Sequence, residues 1–222
     1  MNIAVYGGSF NPLHIGHLAI IRHLIEKAGF DGVYLIVSPK NPLKDSISGE
    51  SACDRYNAAV EAIGRHFGSH HAAAADIPMT PVFATLRHPL AVGGTSSPHS
   101  AAAAEAKVKV DDIEMNMPAP HYTIRTLNAL KEREPENNFT LIMGADNLAI
   151  IRKWKDYGSI LTDFGIAVFP REGHDMTQLK QDLLNENPAY KIQLLDAPLV
   201  TVSSTEIREA LSRGEDVSHL TI

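Results

Sequence analysis

A chain of 222 residues with 44% hydrophobic and 21% charged residues can bury a sizeable core and is too apolar to remain disordered. A formal net charge of −6 gives no global basic field to recruit nucleic acid, and no apolar run reaches membrane-spanning length. Cys53 is the only cysteine, which excludes an intrachain disulfide and fits a reducing cytoplasm; the first residues enter a strand at once, without the basic, apolar and small-residue regions of a signal peptide.

The chain opens on an apolar run, Ile3-Ala4-Val5-Tyr6, read as a strand over residues 2–6. Next comes Gly7-Gly8-Ser9-Phe10-Asn11-Pro12-Leu13-His14-Ile15-Gly16-His17, and then Leu18-Ala19-Ile20-Ile21, which reads as a helix over 15–28 stopped by Gly29. Two glycines at the loop start let backbone N–H groups approach a ligand closely. His14 and His17, three apart, fall on one side of the first helical turn. Glycine-opened loop, helix N-terminus and paired histidines together suit a polyphosphate.

Val33-Tyr34-Leu35-Ile36-Val37 has the continuous apolar character of a buried parallel strand. Ser38-Pro39-Lys40-Asn41-Pro42-Leu43-Lys44 follows as a loop at that strand's C-terminal end, where ligands gather in open α/β sheets. Residues 53–66 are helical in pattern, with Tyr56, Ala59, Val60 and Ile63 on one side. Residues 67–105, with two alanine runs, Gly93-Gly94 and Ser96-Ser97-Pro98, have little to form an apolar face and read as an inserted, mobile or weakly packed excursion. Their histidines show no metal-ligand spacing, so no protein metal site is expected.

Order resumes with a strand at 107–110, a helix over 122–134 and a buried strand at 139–143 leading into Gly144-Ala145-Asp146. Helical material around 147–162, a strand at 166–169, a helix over 175–186 and a strand at 192–195 follow. Ser203-Ser204-Thr205-Glu206 is a capping box before a helix running to Arg213. Alternating strands and helices predict an α/β fold, a doubly wound parallel sheet, as one domain over 1–222 with the 67–105 segment inserted in it. Ser203, Ser204 and Thr205 at a helix start, with Arg208 one turn in, can bind an anion or simply cap a surface helix. Asp146 can accept from ribose hydroxyls or cap a helix, and Trp154 can stack on a ligand or anchor the core.

Gly8 to His17 resembles the GxFxPxHxGH motif of nucleotidyltransferases with a Rossmann-like fold. Together with Tyr122-Thr123, Gly144-Ala145-Asp146, Lys153-Trp154 and Val202-Ser203-Ser204-Thr205-Glu206-Ile207-Arg208, the sequence is similar to bacterial nicotinate mononucleotide adenylyltransferases. The resemblance implies transfer of the adenylyl group of ATP to nicotinate mononucleotide in NAD biosynthesis, with magnesium delivered by ATP. It implies catalytic roles for His14, His17 and Arg208. It places ATP against Gly7, Gly8, Ser9, Phe10, His14, His17, Gly144, Asp146, Ser203, Ser204, Thr205 and Arg208, and the mononucleotide against Lys44, Tyr122, Thr123 and Trp154. Val202 departs from an isoleucine in the family pattern, and Asn41-Pro42-Leu43-Lys44 keeps two positions of a Pro-Pro-His-Lys loop. Two other readings stay open: another adenylyl- or cytidylyltransferase of this fold, such as one acting on phosphopantetheine, and a non-catalytic nucleotide-binding module. Nucleic acid and membrane are not expected partners; a homo-oligomer is left open.

Overall fold

The computed structural model describes residues 1–39, 51–68 and 107–222. Lys44 and, save for two residues, the 67–105 segment lie outside them. Six strands form one parallel sheet: β1 (Asn2–Gly8), β2 (Gly32–Val37), β3 (Val108–Asp111), β4 (Asn138–Gly144), β5 (Ile166–Phe169) and β6 (Ile192–Leu194). Their order is β3-β2-β1-β4-β5-β6, every neighbouring pair parallel. The direction of winding reverses between β1 and β4, and open sheets of this kind bind ligands outside the carboxyl ends of the strands at that reversal.

Helices α1 (Ile15–Glu26), α2 (Ala52–Phe67), α3 (Thr123–Arg133), α4 (Ala145–Ala149), the single turn α5 (Tyr157–Ser159), α6 (Met176–Glu186) and α7 (Ser204–Ser212) complete the described fold. Successive residues of β1 point to opposite faces. Ala4 and Tyr6 join Leu18, Ile21 and Leu24 of α1 and Ala59 and Ile63 of α2, while Ile3 and Val5 join Ile124, Leu127 and Leu130 of α3 and Leu183 of α6. Burial on both faces is why the central strands read as apolar runs, while the edge strands β3 and β6 carry Lys109 and Gln193 between apolar neighbours.

The helical material expected around 147–162 is present but in short pieces: α4 gives way to a 3₁₀ turn at Ile151–Lys153, then α5, then a π turn at Ile160–Phe164. The break falls where Trp154 takes extended angles and Asp156 is left-handed at φ 51°. It carries Trp154 off the helix and onto the cleft wall. The side of α2 read from sequence faces the core, with Ala59 and Ile63 buried and Tyr56 and Val60 half-buried against it, and Arg55 and Ala62 are buried beside them. An arginine sits on that face because carbonyl oxygens of two loops meet it there.

At the end of β3 the buried Asp111 carboxylate accepts from Arg133 at 2.6 and 3.1 Å and pairs with Lys109 at 3.0 Å. Burial pushes this carboxyl up, but the hydrogen bonds from Arg133 and Lys109 outweigh it and hold it below its ordinary value. The C-terminal end of α3 is thereby pinned to the sheet, which fixes where its N-terminus points.

Candidate functional site

A cleft of about 590 Å³ opens along the carboxyl ends of β1, β4 and β5. Its walls include Gly7, Gly8, Ser9, Phe10, His14, His17, Tyr122, Thr123, Gly144, Asp146, Trp154, Ser203, Ser204, Thr205 and Arg208. Every residue picked out from sequence, apart from Lys44 outside the described residues, therefore lines one space. These residues come from five separated segments, and only the sheet topology brings them together.

The first loop leaves β1 at Gly7-Gly8. Gly7 has open space where a Cβ would project, so a ligand can approach its backbone. Gly8 is small for a different reason: a Cβ there would stand 3.0 Å from the folded-back ring of Phe10. Phe10 is buried with φ 44°, a left-handed conformation costly for an aromatic residue. Its ring packs edge-on against Tyr6 at 5.6 Å and His17 at 5.0 Å.

His14 and His17 share the first turn of α1 as the spacing predicts, their rings stacked with centroids 3.7 Å apart. The His14 N–H donates to His17 Nδ1 at 3.1 Å. A neutral His17 accepting at Nδ1 must carry its proton on Nε2, so it presents an N–H donor. Burial, reinforced by the nearby Arg171 guanidinium, pushes His14 down to about 4. Burial, then the neighbouring His14 and Arg171, push His17 down as well. Both rings are neutral donors at neutral pH, and His14 Nδ1 is buried without a hydrogen-bond partner.

The C-terminal helix closes over this loop. Ser204 Oγ donates to the Pro12 carbonyl at 3.0 Å, and Arg208 donates to Asn11 O at 2.6 Å and to Thr205 Oγ1 at 3.1 Å. The capping box is present: Glu206 N–H donates to Ser203 Oγ, while Glu206 Oε2 accepts from Ser203 N–H at 2.9 Å and its hydroxyl at 2.8 Å. Ser203 and Ser204 hydroxyls thus have protein partners. What α7 can offer an anion is the Ser204 and Thr205 N–H groups, its dipole and the Arg208 guanidinium.

At the end of β4, a Cβ on Gly144 would lie 2.3 Å from Asp146 Oδ1 and 3.0 Å from the Arg171 side chain. Only glycine lets this carboxylate and guanidinium meet, at 3.7 Å. Arg171 lies over the Phe169 ring at 5.1 Å and donates to the Val200 carbonyl at 3.1 Å, yet its Nε is buried without a hydrogen-bond partner.

The far end of the cleft is formed by His121, Tyr122, Thr123, Glu114, Thr126 and Trp154. Tyr122 is the N-cap of α3 and supplies no side-chain cap; Arg125 N–H donates to the Tyr122 carbonyl at 2.9 Å, and the Thr123 and Ile124 N–H groups are what the first turn can offer a ligand. The Trp154 indole N–H is buried without a partner. Glu114 is buried, accepts from Thr126 Oγ1 at 2.7 Å, and its second oxygen is unsatisfied.

Arg171 and Arg55 were not foreseen from sequence. Arg171 directly follows Pro170 at the carboxyl end of a buried strand, a place where a cation deserves suspicion. Arg55 occupies a core position at helical spacing from Ala59 and Ala62, the signature of a buried charge with partners. Among the described residues, no group of His, Cys, Asp or Glu could hold a metal ion, and no helix is long and apolar enough to cross a membrane.

Comparison with known proteins places this geometry. The cytidylyltransferase-like family pattern matches residues 5–78. A Flavobacterium johnsoniae protein named "Probable nicotinate-nucleotide adenylyltransferase" is 32% identical over 99% of this chain and 91% of its own. Its namesake from Flavobacterium psychrophilum is 34% identical over the same shares. Among solved structures, the Plasmodium falciparum nicotinic acid mononucleotide adenylyltransferase complexed with NaAD superposes with a TM-score of 0.67 at 18% identity, covering 98% of this chain and 87% of that one. The structural match carries the fold, and the full-length sequence matches carry the rest: the chain belongs to the nicotinate-nucleotide adenylyltransferase family.

Proposed function

We propose that this protein transfers the adenylyl group of ATP to nicotinate mononucleotide, releasing pyrophosphate and giving deamido-NAD, a step of NAD biosynthesis. One observation carries the reading: the described motif residues from five distant segments line a single cleft at the reversal point of the sheet.

In the reaction, a 5′-phosphate oxygen of the mononucleotide attacks the α-phosphorus of ATP. A new P–O bond forms, the bond to the bridging α–β oxygen breaks, and its electron pair leaves with pyrophosphate. No covalent enzyme intermediate is needed, so the protein's task is to align two phosphates and stabilise added negative charge. His17, through Nε2–H, and His14 act as neutral hydrogen-bond donors to the phosphates. Donors already fixed in a half-buried site need no reorganisation as the charge develops. Arg208, tied to the first loop by the Asn11 carbonyl and braced within its own helix by Thr205 Oγ1, brings a full positive charge to the same place.

The adenosine end lies by Gly144 and Asp146, whose carboxylate is placed to accept from ribose hydroxyls. The mononucleotide lies at the opposite end, with its pyridine ring on Trp154 and its carboxylate at the N-terminus of α3, beside Thr123. Lys44 is a further phosphate contact proposed on the family motif alone. Magnesium enters as part of the ATP substrate, where it lowers the charge on the phosphates. The described wall residues offer N–H and guanidinium donors to the phosphate oxygens. Pyrophosphate release from ATP and magnesium, screened over nicotinate mononucleotide, its amide and phosphopantetheine, tests the assignment. Release with the first is expected; release with phosphopantetheine alone overturns it.

A further inference from the structure

Arg55 is only 2% exposed and lies behind the first loop, outside the cleft wall. From the first turn of α2 its Nη1 donates to the Ser9 carbonyl at 2.5 Å and the Ser38 carbonyl at 3.0 Å. Its Nη2 donates to the Pro39 carbonyl at 3.2 Å. The Ser38 N–H in turn donates to Gly8 O at 2.9 Å. One planar cation thus joins the loops that leave β1 and β2, the two strands whose carboxyl ends shape this side of the site.

The consequence follows from peptide geometry. In a trans peptide the carbonyl of one residue and the N–H of the next point in opposite directions. Drawing the Ser9 carbonyl back onto Arg55 turns the Phe10 N–H the other way, toward the space that Ser9 and Phe10 line. It also holds Phe10 in its left-handed conformation, which an aromatic residue does not adopt without support. We propose that Arg55 is a positioning residue for ATP: without touching substrate, it aims the Phe10 amide of the first loop at the nucleotide's phosphates. The inference rests on the adenylyl-transfer reading.

Lysine at position 55 keeps the charge but replaces the planar fork with a single ammonium, which cannot serve three carbonyls in the same arrangement. The R55K protein is therefore expected to show a KM for ATP raised about tenfold, while the KM for the mononucleotide stays within about twofold. Equal rises in both constants would make Arg55 a packing residue and overturn the inference, as would unchanged kinetics. A second measurement does not depend on the variant's folding. Wild-type protein labelled with ¹⁵N-phenylalanine carries seven such residues, few enough to resolve. Adding a non-hydrolysable ATP analogue with magnesium should shift the Phe10 amide and slow its hydrogen exchange. An unmoved Phe10 amide in an enzyme that turns over normally overturns the role of Arg55 alone. A wild type that binds the analogue at Phe10 but releases no pyrophosphate overturns the transfer reading alone.

Discussion

Neutral histidines at a buried helix entrance have a measurable cost in acid. The perturbation is a shift from about pH 7 to about pH 5, applied to the wild type and to a double variant, His14→Asn with His17→Asn. His14 moves from 6.5 to about 4 on folding, driven by burial and then by Arg171. The unfolded chain therefore binds more protons than the native one between those values, so stability is complete above about pH 6.5 and falls as the pH drops toward 4. For His14 alone the loss is about 2 kcal/mol by pH 5 and about 3 kcal/mol once pH has passed the folded value. His17, shifted in the same direction, adds to it. Asparagine at 17 keeps an acceptor for the His14-position N–H and removes the titration. Urea unfolding at the two pH values should show the wild type losing at least about 2 kcal/mol more than the double variant. Equal losses would mean that the imidazoles are not desolvated as described, and the argument for neutral donors would fail with them.

Other substitutions separate the parts of the cleft. His17→Ala should lower turnover roughly a hundredfold with the fold intact, because the ring stabilises charge and is only half-buried; normal turnover in steady-state assays would remove it from the mechanism. Trp154→Ala should weaken the mononucleotide by roughly 1–3 kcal/mol and ATP much less. Calorimetry showing equal losses would instead assign the indole to packing. Gly144→Ala should raise the KM for ATP about tenfold, since a Cβ 2.3 Å from Asp146 Oδ1 must displace that carboxylate; an unchanged KM would take Asp146 off the adenosine.

The sheet was legible because its central strands are buried on both faces and so stand as apolar runs between glycine and proline punctuation, as at Val33–Val37 and Ile166–Phe169, while the edge strand β3 showed instead by alternation. The catalytic end was legible for a related reason: the first loop and the capping box of α7 are local patterns whose chemistry depends on neighbours in sequence. What escaped depends on neighbours in space. Nothing near Arg171 in the chain announces Asp146 and Val200, and nothing near Arg55 announces the Ser9, Ser38 and Pro39 carbonyls. The helical character of 147–162 was legible, but not where it breaks, because the left-handed Asp156 has no glycine to mark it. That interruption matters to function, since it is what turns Trp154 toward the cleft.

Choice between the acid and the amide tests the central claim most directly. The two mononucleotides differ by a carboxylate against a neutral amide, and the uncapped N-terminus of α3 with Thr123 offers that position N–H donors and a positive dipole end. Side-by-side kcat/KM values for nicotinate and nicotinamide mononucleotide, read by pyrophosphate release with saturating ATP and magnesium, are predicted to favour the acid by at least roughly a hundredfold. Equal efficiency, or preference for the amide, would contradict the account.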